Sequence, residues 1–200
     1  MTKVLVAQNS GGKMESTSTK VVYTAVFGNY DLVPEVNPKW NCDFVCFTDN
    51  PEIVSHGWQV VKVKLNGEHP AQMNRRYKML PHKYLPHHEL SLYVDGNIRI
   101  VTDPCPLFEK YLNNGVIAIA KHPSRNCVYA EAQECIDREL VNKVMVEQQM
   151  VRYATQGFPE KYGLTANGII LRKHFDENVI ALMDSWWREY SNGEKRDQLS

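Results

Sequence analysis

Leu90-Ser91-Leu92-Tyr93-Val94-Asp95-Gly96-Asn97 is the stretch whose reading decides the fold. A short β-rich, largely apolar run ends directly on an acidic residue, as when a buried strand delivers a carboxylate to its carboxyl end. Open α/β sheets bind their ligands at that end. Gly96 permits an unusual turn there. An Asp with a second oxygen ligand suits Mg²⁺ or Mn²⁺, which are usually held by one or two carboxylates together with substrate phosphates. Asp95 and Asn97 are therefore the expected metal ligands. Read alone, the same residues fit an Asp-Gly turn after a strand equally well.

Working upstream, Met73, Tyr77 and Leu80 recur at helical spacing in Ala71–Leu80, and Pro81 and Pro86 mark the end of that helix. Arg75, Arg76 and Lys78 lie between the apolar positions. Cations just ahead of a phosphate site would compensate a diphosphate, and Arg can do so with paired hydrogen bonds; the alternative is a solvated helix face. Val21–Phe27, Asp43–Thr48 and Trp58–Lys64 read as strands, the last nearer an edge. Downstream, Asp103-Pro104 caps a helix through Leu112, and Gly115–Ala120 is an apolar strand. Helices follow over Val128–Leu140 and Val144–Gln156, then a strand over Leu164–Leu171 and an amphipathic helix over Asp176–Tyr190. Strands alternating with helices predict an α/β fold, a mixed and mainly parallel sheet flanked by helices.

The 200 residues suffice for one domain with its own core. Residues 1–20 read as an N-terminal extension, flexible from Asn9 to Lys20, and 21–200 as the domain. With 23 basic and 23 acidic residues the formal net charge is zero, which argues against broad nucleic-acid binding. No apolar run approaches the roughly 18 residues that span a bilayer. The opening residues lack a secretory pattern, so the expected location is cytoplasmic. The five cysteines are scattered without a CxxC pair, which predicts small buried apolar residues rather than a disulfide framework or zinc site. The chain stops at Arg196–Ser200, where a helix is expected to begin, as in a domain truncated at its C-terminus.

Five segments taken in order carry a resemblance: Tyr23–Asp31, Cys46–Asn50, Tyr93–Asn97, His122–Arg125 and Arg196–Gln198. Together they resemble the TOD1/MUCI70 glycosyltransferase-like family, and the layout resembles the GT-A fold. A more distant similarity is to the glycogenin-like retaining glycosyltransferases. There the counterparts would be Arg75 to Lys78, Asp95-Gly96-Asn97, Ala166-Asn167-Gly168 and Asp197-Gln198. Asn97 departs from that pattern, in which a second Asp stands.

The resemblance implies a glycosyltransferase that moves a sugar from a nucleoside diphosphate sugar, UDP-linked, to a hydroxyl of a glycan or other acceptor, assisted by Mn²⁺ or Mg²⁺. Thr24, Ala25, Phe27, Tyr30 and Asp31 would frame the nucleoside, with Arg75, Arg76, Lys78 and Gly168 completing the donor site. His122, at the end of its strand, would meet the acceptor or a metal, and Arg125 the acceptor's sugar hydroxyl or a phosphate. Asp197, Gln198 and Asn167 would act at the anomeric carbon, with a lean towards retention; in an inverting enzyme Asp197 or Glu131 would serve as base. The alternatives are a catalytically silent carbohydrate- or nucleotide-sugar-binding module, kept open by Asn97, and a sugar-phosphate nucleotidyltransferase. The latter would want a glycine-rich, basic loop that Phe27–Asp31 does not supply. The remaining histidines, His82, His87 and His88, are expected in solvent, and Trp186-Trp187 in packing.

Overall fold

The computed structural model describes residues 19–54 and 56–200. The expected N-terminal extension lies outside them except for its last residues, and Lys20 already opens a strand. The elements are β1 (Lys20–Val26), β2 (Asp43–Thr48), β3 (Gln59–Lys62), α1 (Pro70–Met79), α2 (Pro81–Tyr84), β4 (Leu90–Val94), α3 (Cys105–Leu112), β5 (Ile117–Lys121), α4 (Val128–Asp137), α5 (Lys143–Thr155), β6 (Thr165–Lys173) and α6 (Glu177–Asn192). They form the α/β, GT-A-like architecture expected from the alternating pattern.

The sheet runs β3-β2-β1-β4-β6-β5. β1 pairs in parallel with both β2 and β4, and β2 with β3. β6 reverses direction between β4 and β5, antiparallel to both. Alternate residues of the inner strands enter two separate cores. Val22, Cys46, Leu92 and Val94 meet Phe108 and Leu112 of α3 on one face. Val21, Tyr23, Ala25, Phe47 and Tyr93 meet Met73 and Tyr77 of α1 on the other. Burying both faces is why these strands read as continuous apolar runs, and each large apolar side chain so buried contributes about 1.5–3 kcal/mol.

Helix α1 begins at Pro70, whose missing N–H costs nothing at a first turn; the His69 ring accepts from the Ala71 amide at 3.2 Å. Its end is set by Pro81, which has no N–H to offer the Tyr77 carbonyl four residues back. The buried Tyr23 hydroxyl donates there instead, at 3.3 Å, and to the Lys78 carbonyl at 3.1 Å. Helix α6 is capped by Asp176, which accepts from the amides of Asn178 and Val179.

Three expectations are corrected. Cys42, at the amino end of β2, and Cys105, at the start of α3, form a disulfide with Cα atoms 6.1 Å apart, while Cys46, Cys127 and Cys135 are buried thiols. Of the histidines expected in water, His88 is buried with Nε2 2.9 Å from Asp43 Oδ2, and the His82 side chain is largely covered; His87 is exposed. Arg196–Ser200 forms a turn rather than the start of a helix. It is held by the buried Leu199, whose carbonyl accepts from Gln149 at 2.7 Å and Tyr153 at 2.9 Å.

Candidate active site

Because β6 is antiparallel to β4, the beginning of one strand lies beside the end of the other. The Asp95 amide donates to the Gly168 carbonyl at 2.9 Å, and one strand further the His122 amide donates to Leu164 at 2.8 Å. Asp95, Asn97, Asn167, Gly168 and His122 thus share the carboxyl edge of the parallel strands, where α/β sheets place ligands. Gly168 is required by close approach. A Cβ there would stand 3.0 Å from Asp95 Oδ2.

A row of charges crosses this edge. The Lys78 ammonium, 2% exposed, lies 2.6 Å from Asp197 Oδ2 and 3.4 Å from Asp95 Oδ1. The Tyr93 hydroxyl donates to the same Asp95 oxygen at 2.9 Å, and its ring lies under the ammonium. Burial, then the Asp95 charge, raises the Tyr93 phenol well above its ordinary value, so it stays protonated as a donor. Arg75 Nε approaches Asp197 Oδ1 at 3.4 Å, a charge contact rather than an aligned hydrogen bond. Burial alone would raise the Asp197 carboxyl; Lys78, then Arg75, outweigh it and hold that carboxyl below the usual range. The Asp197 carbonyl accepts from Trp186 Nε1 at 2.9 Å and Asn167 Nδ2 at 3.2 Å. The C-terminal turn is thereby fastened to β6 and α6.

Two grooves meet at this row. The smaller, about 480 Å³, lies between the end of β1 and the start of α1 and contains Ala25, Phe27, Tyr30, Asp31, Asn74, Arg75, Asp95 and Asn97. Asn74 Nδ2 donates to the Ala25 carbonyl at 2.5 Å, and its Oδ1 receives Arg75 Nη1, which orients the guanidinium beside the groove. Asp49 Oδ1 accepts from the Gly28 amide at 2.9 Å, so its carboxylate shapes the β1 turn. Burial, with the Asp95 charge second, raises the Asp31 carboxyl. The larger groove, about 950 Å³, opens over β5, β6 and α6 and includes His122, Arg125, Asn167, Trp186, Asp197 and Gln198.

The predicted site residues divide between these places. Thr24 is buried within β1, behind the small groove. Arg76 points elsewhere, paired with Glu68 and lying over the Trp187 ring. Lys78 belongs to the charge row. Arg125 is committed to Glu131 and Glu134, and His122 Nδ1 accepts from the Ser124 and Arg125 amides. Glu131 is buried beneath Arg125. Gln198 Nε2 donates to the Thr165 carbonyl at 3.3 Å. Sequence reasoning missed the contribution of His69 and Pro70 to the small groove; a His-Pro step opening a basic helix was its only signal.

For a divalent cation, Asp95 Oδ2 is the available oxygen, since Oδ1 already receives Tyr93 and Lys78. Hard oxygen donors at the mouth of a phosphate-sized groove fit Mg²⁺ or Mn²⁺. A second cluster of ligand-type side chains, Cys42, Asp103 and Cys105, lies away from this edge, and its two sulfurs are consumed by the disulfide.

The family model described as TOD1/MUCI70, glycosyltransferase-like domain, matches residues 2–200. The chain belongs to this family. This TOD1/MUCI70-type chain is 26% identical over 210 residues to a probable hexosyltransferase MUCI70 of Arabidopsis thaliana, with 90% of the chain aligned. It spans 36% of that protein's length. In TOD1/MUCI70 terms, the family-like segments Tyr23–Asp31, Tyr93–Asn97, His122–Arg125 and Arg196–Gln198 all border the two grooves or the charge row.

Proposed function

We propose that the chain transfers a hexosyl unit from a UDP-linked sugar to an acceptor hydroxyl, with the nucleotide in the small groove and the acceptor in the large one. The observation that carries this reading is the position of Asp95, at the carboxyl end of β4, between a β1 loop bearing Tyr30 and Asp31 and a helix bearing Asn74 and Arg75. Tyr30, largely exposed, offers a ring for a base to stack on. Arg75 and Lys78 supply positive charge where a diphosphate would depart, the electrostatic contribution that usually dominates such barriers. A bound Mn²⁺ or Mg²⁺ would neutralise the same leaving group. Asp197 holds both cations in place, and its backbone joins the two grooves.

Retention is the stereochemistry supported. An inverting enzyme needs a base positioned for the acceptor, whereas Asp197 is engaged by two cations and Glu131 is covered by Arg125. The Cys42–Cys105 bridge supports a working location outside the reducing cytosol, in place of the cytoplasmic one expected from the opening residues.

The test is thermal unfolding with nucleoside diphosphates, with and without Mn²⁺. A ligand at about a hundred times its Kd stabilises by about 2.7 kcal/mol, so UDP with Mn²⁺ should raise the Tm by several degrees. Asp95→Ala should abolish the Mn²⁺-dependent part. No shift with any nucleoside diphosphate would end the transferase reading.

A further inference from the structure

We propose that the second protein ligand of the divalent cation at Asp95 is the carboxylate of Asp31, on the loop after β1, rather than the amide of Asn97. The proposal rests on the donor-site reading above. Gly96 is the observation that joins the two acids. A Cβ built there would lie 3.1 Å from both Cβ and Oδ2 of Asp31 and 2.6 Å from Val26 Cγ2. The Asp31 carboxylate is therefore seated against the backbone that carries Asp95, and the absence of a side chain at 96 makes its room.

The two acids also differ from their neighbours in what they are already doing. Among the described residues, no group donates a hydrogen bond to Asp31. Asp95 spends one oxygen on Tyr93 and Lys78, and its Oδ2 lies over Gly168, where a Cβ would be 3.0 Å away. Each glycine clears space beside one unspent carboxylate oxygen. Asn97 is exposed and brings only a neutral carbonyl oxygen. Hard divalent cations gain affinity with ligand charge, so a half-buried carboxylate outcompetes an exposed amide for the same ion. The missing second acid of the Asp95-Gly96-Asn97 motif is restored from the loop after β1, 64 residues earlier in the chain (95 minus 31). Asp31 would then close the site from the nucleoside side while Lys78 closes it from the Asp197 side.

The experiment is Mn²⁺ binding by the full chain, followed through the electron paramagnetic resonance signal of free Mn²⁺ with and without UDP. UDP affinity is measured separately by calorimetry in EDTA. Asp31→Asn and Asp95→Asn should each weaken Mn²⁺ by about tenfold or more, and Asn97→Ala by less than about threefold, as expected when ligand charge sets affinity. UDP affinity in EDTA should stay within about twofold for Asp31→Asn, because its role is to hold the metal. Circular dichroism monitors folding, and Asp31→Ser replaces Asp31→Asn should the latter be unfolded. Two results overturn the Asp31 assignment alone: unchanged Mn²⁺ affinity in Asp31→Asn, or loss of UDP binding in EDTA, which would make Asp31 a nucleoside contact. Failure of the wild-type chain to bind either UDP or Mn²⁺ would instead remove the donor-site reading and the Asp31 assignment with it.

Discussion

Two buried charge networks lie back to back in this domain, and they are balanced in opposite ways. At the carboxyl edge, Asp95, Lys78, Asp197 and Arg75 set two carboxylates against two cations. Behind it, the fully buried Arg172 has only dipoles for company: one Nη donates to the Lys78 carbonyl at 2.9 Å and the other to the Tyr23 hydroxyl. His174 and His82 stand near that guanidinium and add no negative charge. Lys78 belongs to both networks, its side chain to the first and its carbonyl to the second. The matched network borders both grooves, where its charges face a ligand site. The unmatched one fixes α1 against β6 and depends on its histidines remaining neutral.

The sharpest way to separate the networks is Lys78→Met, which removes the ammonium and keeps the carbonyl. Breaking a buried ion pair from one side costs about 3–5 kcal/mol. Urea unfolding should show that loss, with nucleotide binding lost as well. A stability within about 1 kcal/mol of wild type would show that Asp197 is served by Arg75 and solvent instead.

Acid titration should resolve the two networks by pH. Burial, with Arg172 and the other histidines adding to it, pulls His174 from 6.5 down to about 4, and His82 is also lowered, mainly by burial. Between those values the unfolded chain binds more protons, so the stability present above pH 6.5 drains away as pH falls towards 4. The loss is about 3 kcal/mol for His174. Asp197 is depressed, so its contribution persists to lower pH and is lost only below the ordinary carboxylate value of 3.8. Stability followed by denaturant titration should therefore fall in two legs, and His174→Gln should flatten the upper one. A single leg below pH 4 would show that the histidines gain a proton partner in the folded state.

The smallest effect separates neighbours on one helix. Arg75→Ala should weaken UDP binding by about tenfold, the worth of one charged hydrogen bond of about 1.4 kcal/mol. Arg76→Ala should leave it within about twofold, because that guanidinium faces Glu68 and Trp187. Equal losses by calorimetry would place both arginines at the phosphate.

The strands were legible because burial on both faces writes itself as apolar runs, and Asp95 because it follows such a run directly. Asp43–Thr48 and Leu90–Val94 have the expected bounds. Which cation of Arg75-Arg76-Tyr77-Lys78 faces the edge was not legible. Successive helical positions diverge by about 100°, and α1 turns Arg76 from the carboxylates while Lys78 reaches them. The disulfide was hidden by its span of 63 residues, since pairing of distant cysteines is set by tertiary approach. Glu131 reads as a candidate base in the first turn of a helix, and only packing shows it spent on Arg125. The short helix α2 escaped notice because Pro81 at its start and Pro86 just beyond its end read as breakers.

The ion pair that completes the carboxyl edge closes a span of 119 residues, from Lys78 to Asp197. On a ribosome, at about 5–20 residues per second, the ammonium exists for several seconds before its buried counterion is made. From 17 residues after Lys78 onwards (95 minus 78), Asp95 is the carboxylate of the row already present to neutralise it, at the longer distance of 3.4 Å. The order of synthesis thus makes the half-open acid the first guardian of Lys78 and the closed one its last. Cotranslational folding of the sheet can proceed before the C-terminal turn is made, but the electrostatic frame of the candidate site is complete only once Asp197 has been added.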